Sequence, residues 1–175
     1  RDGRLLWTHE RASNRIANIA TPIVRGNRVF FSSDYGTGAA LVDVRAAGNF
    51  ATAAEVYFTR EMRNHHASSV LVGTHLYGFN SSILTALEFE TGTLAWRNRS
   101  VGKGSLIYAD ERLYLYGENG VVGLADASPT AYVERGRFHL KTGNASTWSH
   151  PVITNGLLIL RDQDRVYAYD IRAGH

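Results

Sequence analysis

Apolar and polar positions alternate, or run in short apolar blocks broken by Gly, Asn, Asp and Ser, along the whole 175-residue chain. No segment keeps a 3.6-residue apolar period over three turns, so the pattern predicts strands and no helix. One unit recurs four times: an apolar strand, a tight polar turn, a second apolar strand, a short loop and a third strand. The clearest first hairpins are Pro22-Ile-Val-Arg-Gly-Asn-Arg-Val-Phe30, Ser69-Val-Leu-Val-Gly-Thr-His-Leu-Tyr77, Ser105-Leu-Ile-Tyr-Ala-Asp-Glu-Arg-Leu-Tyr114 and Pro151-Val-Ile-Thr-Asn-Gly-Leu-Leu-Ile159. Their starts are 47, 36 and 46 residues apart, the period of a small four-stranded sheet repeated along a chain. The polar pair or triplet inside each hairpin supplies the turn.

The second copy shows how the unit ends. Leu84-Thr-Ala-Leu-Glu-Phe-Glu-Thr-Gly-Thr-Leu-Ala-Trp96 reads strand, turn, strand. Gly92 suits the turn because it takes positive φ without strain, and Trp96 is placed to bury a large ring between neighbouring sheets. The stretch from Ala86 to Trp96, Ala-x-Glu-x-x-Thr-Gly-x-x-x-Trp, closely resembles the repeat of the pyrroloquinoline-quinone-type β-propellers. That family includes quinoprotein alcohol dehydrogenases and the propeller lipoprotein of the outer-membrane assembly machinery. Asp2-Gly-Arg-Leu-Leu-Trp7 is similar to the end of such a motif, and Val166-Tyr-Ala-Tyr-Asp-Ile-Arg-Ala173 to the start of one. Val122-Gly-Leu-Ala-Asp-Ala127 is a degenerate copy without the Thr-Gly turn or the Trp.

The resemblance implies an all-β propeller of four-stranded antiparallel blades in residues 1–175, about four of them present. The blades are expected at 20–60, 66–98, 104–140 and 149–173, with 3–10 an outer strand of a preceding or closing blade. Trp7, Gly92 and Trp96 are the blade-structural residues. The phase admits a closed four-bladed ring or part of a larger one; longer rings are usual in the resembled family, so the larger ring is the expectation.

Composition narrows the chemistry. No cysteine is present, which excludes disulfides, thiolate metal sites and cysteine nucleophiles. The formal charge of +3 is spread along the strands, which argues against a nucleic-acid partner. No apolar run approaches the length of a transmembrane helix. Sequons at Asn80, Asn98 and Asn144 matter only in a glycosylating secretory pathway.

In such a blade the first strand is innermost, and the loops leading into it share one face of the ring with the loops between strands two and three. Candidate ligand-binding residues follow from that phase. Asn64, His65, His66, Lys103 and His150 each stand just before an innermost strand and can gather at the mouth of a central funnel. Imidazoles bind polar ligands and metals near neutral pH, but in a strand adjacent side chains point to opposite faces, so only one of His65 and His66 is expected at the axis. Lys103 beside neutral imidazoles would make the mouth weakly positive, favouring an anionic or carbonyl-bearing ligand over a cation. The competing reading is that these groups pair with one another for structural reasons. Neither a phosphate loop around Lys103, a calcium loop at Asp162-Gln163-Asp164 nor a nucleophile elbow at Ser149-His150 has the required context. His9, His75 and His139 read as surface or packing residues. No catalytic or metal-ligating set is identified.

The expected function is a non-catalytic binding or scaffold surface for a protein partner or a small polar or anionic ligand, without a cofactor. The alternative is part of a quinoprotein oxidoreductase acting on alcohols or sugars, with pyrroloquinoline quinone and calcium. The resemblance further implies a bacterial exported protein, periplasmic or associated with the outer membrane.

Overall fold

The computed structural model describes residues 2–141, 143 and 145–172. The sequon at Asn144 and residue 173, the expected end of the fourth blade, lie outside the described residues. Among the described residues the fold is all-β, fifteen strands with no helix. The first sheet contains β1 (Ile23–Arg25), β2 (Arg28–Ser33), β3 (Gly38–Ala47) and β4 (Phe50–Thr59). The second contains β5 (Val70–Val72), β6 (His75–Asn80), β7 (Ile83–Glu88) and β8 (Leu94–Asn98). The third contains β9 (Gly104–Ala109), β10 (Arg112–Gly117), β11 (Val121–Asp126) and β12 (Glu134–His139). The fourth contains β13 (Val152–Thr154), β14 (Leu157–Asp162) and β15 (Arg165–Asp170). Every sheet is an antiparallel meander in chain order.

Strand alternation places apolar side chains on both faces of the middle strands. In β6, Leu76 faces the first sheet while Tyr77 and Phe79 face the third. In β10, Leu113 and Leu115 face the second sheet, and Tyr114 and Tyr116 the fourth. Three apolar layers therefore join consecutive sheets face to face, which is blade packing. No such layer joins the fourth sheet back to the first among the described residues, so the blades form an open arc. The first strands line the inside of the arc, where β9 packs against both β5 and β13.

Two sequence features hold the second blade. Trp96 is buried between Tyr77 and Tyr132, each with its ring centroid 6.0 Å away. Its indole N–H donates to the carbonyl of Ser128 in the next blade at 2.9 Å. Gly92 is required twice: its φ is +71°, and a Cβ there would stand 2.6 Å from the Tyr57 ring of the first blade.

Residues 3–10, expected as an outer strand, form no strand. They lie along β4, held by a bond from the Ala51 N–H to the Leu6 carbonyl (3.2 Å), by a 3.2 Å contact of His9 Nε2 with Glu55, and by the neighbouring ion pair of Arg11 with Glu55. A strand needs a free sheet edge in register, and this segment meets the chain only at isolated points. Leu5 and Leu6 stay exposed. Trp7 is consequently not the counterpart of Trp96: it is half-buried and lines a groove together with Phe31.

Candidate functional site

The loops before the innermost strands and those between second and third strands interlock on one face. The Ser81 hydroxyl donates to Asp34 (2.7 Å), Glu118 N–H to the Lys103 carbonyl (2.8 Å), and Thr147 N–H to the Glu118 carbonyl (3.0 Å). These contacts tie the loops of the first blade to the second and of the third blade to the fourth.

His65 and His66 sit in the loop between β4 and β5, outside any strand. Strand alternation therefore does not govern where the two rings point. Their Nδ1 atoms lie 3.3 Å apart, with the rings nearly perpendicular. The Nε2 of His65 is 2.9 Å from the Tyr35 hydroxyl of the first blade. His66 is buried, and its Nε2 has no hydrogen-bond partner. Burial disfavours its cation, with smaller contributions from His65 and Lys103 on the same side, and its pKa is pushed down to about 4. His66 is therefore a neutral imidazole at pH 7.

Trp148, from the loop before β13, covers both histidines. Its ring centroid is 6.4 Å from that of His65 and 6.2 Å from that of His66. The indole N–H donates to Glu118 Oε2 at 2.9 Å, which fixes the ring although Trp148 remains 59% exposed. His150 is exposed and places Nε2 3.1 Å from the His66 carbonyl, across 84 residues of sequence. Lys103 Nζ lies 3.7 Å from Glu118 Oε2. That carboxylate offsets the ammonium, so the mouth lacks the unopposed positive charge expected from Lys103.

Asn64 does not join the cluster. It is buried, accepting from the Ser69 hydroxyl (2.9 Å) and donating to the Phe79 carbonyl (3.3 Å), while its backbone N–H donates to Ser32 (2.9 Å). Its role is to hold the loop that carries the histidines. The structure thus gathers His65, His66, Lys103 and His150, assigns Asn64 to their support, and adds Tyr35, Glu118 and Trp148. The loops holding these three were legible as members of this face, but which side chains turn inward was not. No group of three His, Asp or Glu side chains arranged to hold a metal occurs among the described residues.

A family model described as outer membrane protein assembly factor BamB matches residues 1–98. The chain belongs to that family. Among solved structures, BamB from Moraxella catarrhalis matches this BamB-family chain with a TM-score of 0.61 and 17% identity, over 85% of this chain and 41% of that one. A europium-containing methanol dehydrogenase matches with a TM-score of 0.55 and 15% identity, over 74% of this chain and 26% of that one. At such identities these likenesses show the shared fold, a propeller of pyrroloquinoline-quinone-type repeats. The chain spans less than half the length of either structure. No curated protein matches the sequence closely enough to carry a function. No helix among the described residues is long and apolar enough to cross a membrane.

Proposed function

We propose that this BamB-family arc is a non-catalytic scaffold that binds a protein partner through the loop face centred on Trp148, in an exported, periplasmic setting. The observation that carries the reading is a large aromatic ring left 59% exposed yet fixed by its bond to Glu118 and by the rings of His65 and His66. Tyr35, 46% exposed, extends the same patch. Ordered aromatic side chains lose little conformational entropy on association and dominate binding hot spots. The polar groups around them would form the rim. Membership of a family described as an outer-membrane protein assembly factor favours a component of that machinery as the partner.

The test is binding of purified periplasmic domains of outer-membrane assembly proteins, measured by calorimetry against the wild-type chain and Trp148→Ala. The expected result is a complex that Trp148→Ala weakens at least about tenfold, with the melting temperature nearly unchanged. Equal affinity of the two proteins would overturn the assignment of this face. The quinoprotein alternative predicts stoichiometric quinone absorbance after reconstitution with pyrroloquinoline quinone and calcium; our reading predicts none.

A further inference from the structure

We infer that the His65–His66 pair is an open binding site for a divalent transition cation of the copper, nickel and zinc class. The inference stands on the geometry of the two rings and is independent of the protein-partner reading.

The two Nδ1 atoms are 3.3 Å apart. Two imidazole nitrogens each about 2.0–2.1 Å from one tetrahedral metal must be about 3.3–3.4 Å apart. In the empty pair the same contact is a long N–H···N hydrogen bond, so the two nitrogens already stand at chelating separation. The rings are nearly perpendicular and come from successive residues of a loop braced by the buried Asn64. Little rearrangement is needed to admit the ion.

The surroundings support the same chemistry. A metal-ligating histidine commonly has its other ring nitrogen hydrogen-bonded to an oxygen, which fixes ring orientation and tautomer. His65 Nε2 already has the Tyr35 hydroxyl at 2.9 Å. If His65 carries its proton on Nδ1 in the empty pair, metal binding shifts that proton to Nε2, where Tyr35 accepts it. If His66 carries it, the same shift moves the proton to the Nε2 of His66. Neither route changes the total number of bound protons. Of the two rings His65 alone has this support: His66 Nε2 is buried without a hydrogen-bond partner.

Lys103 would repel a cation, but Glu118 stands 3.7 Å from it and offsets its charge. Only two protein nitrogens converge, so solvent or a bound anion must fill the other positions. Imidazole selects copper, nickel and zinc over magnesium or calcium, and copper should bind most tightly.

The experiment is titration of the 175-residue chain with Cu2+ alone, followed by calorimetry and electron paramagnetic resonance. The expected result is one tight equivalent whose hyperfine pattern reports two imidazole nitrogens. His65→Ala should remove that equivalent. His65→Phe, which keeps a ring against Tyr35 and Trp148, should remove it too and guards against a folding defect. His75→Ala and His139→Ala should leave it intact. Retention of the two-nitrogen signal in both His65 variants, or its loss in His75→Ala or His139→Ala, would overturn the assignment. Absence of tight binding in the wild-type chain would do the same. None of these results bears on partner binding through Trp148, so the two readings fail separately.

Discussion

Replacing Trp96 by alanine tests whether face-to-face packing of consecutive blades holds the fold. The ring is 9% exposed, lies between Tyr77 and Tyr132, and anchors the next blade through its bond to Ser128. A buried Trp removes roughly 150–250 Å2 from water, worth about 4–6 kcal/mol at about 25 cal/mol per Å2. That value is an upper bound, because an unfolded chain already covers part of the ring. Measured losses for deleting large buried aromatics are about 3–5 kcal/mol, and we expect Trp96→Ala to fall there. Trp96→Phe should cost less, since an aromatic ring remains and the chief added loss is the bond to Ser128, about 1 kcal/mol. The internal control is Trp148→Ala on the exposed loop face, expected within about 1 kcal/mol of wild type. Urea unfolding followed by far-ultraviolet circular dichroism gives all three values, read as midpoint shifts at constant slope. If Trp96→Ala and Trp148→Ala cost the same, the second and third blades are not held together as described.

Three further outcomes follow from particular contacts. His66 has a folded-state pKa of about 4 against an ordinary value of 6.5. The unfolded chain therefore binds this proton first, and the associated stability, present in full above pH 6.5, is lost as pH falls towards 4. Urea midpoints measured in chelator should decline over that interval in wild type and flatten in His66→Asn. Strand β12 is exposed at every position and lacks the counterpart of Trp96, so its amides should exchange with deuterium faster than those of β8; equal protection would contradict the packing argument. A Cβ on Gly104 would stand 2.4 Å from the Tyr116 carbonyl oxygen on the paired strand, so Gly104→Ala should lower the urea midpoint by an amount equivalent to about 1–3 kcal/mol.

The repeat and the all-β fold of antiparallel sheets were legible in the chain because they are local. Period-two patterning, a turn of two or three polar residues and the Thr91-Gly92 to Trp96 unit depend on neighbours within one hairpin. Phase also placed the loops of Lys103 and His150 on one face with that of the histidines. Tertiary structure alone decided the rest. Residues 3–10 carry an outer-strand motif yet form no strand: they lie along the free edge of β4 but join it through a bond from Ala51 N–H to the Leu6 carbonyl and side-chain contacts to Glu55, not through a ladder in register. His65 and His66 converge because their loop bends out of strand geometry, where alternation no longer applies. Asn64 turns into the core to satisfy Ser69 and the Phe79 carbonyl. Glu118 reaches Lys103 and Trp148 from a neighbouring loop. The contact of Glu118 with Trp148 crosses from the third blade to the fourth, and those of His65, Asn64 and Lys103 depend on how irregular loops fold back within a blade; neither geometry is encoded by strand spacing.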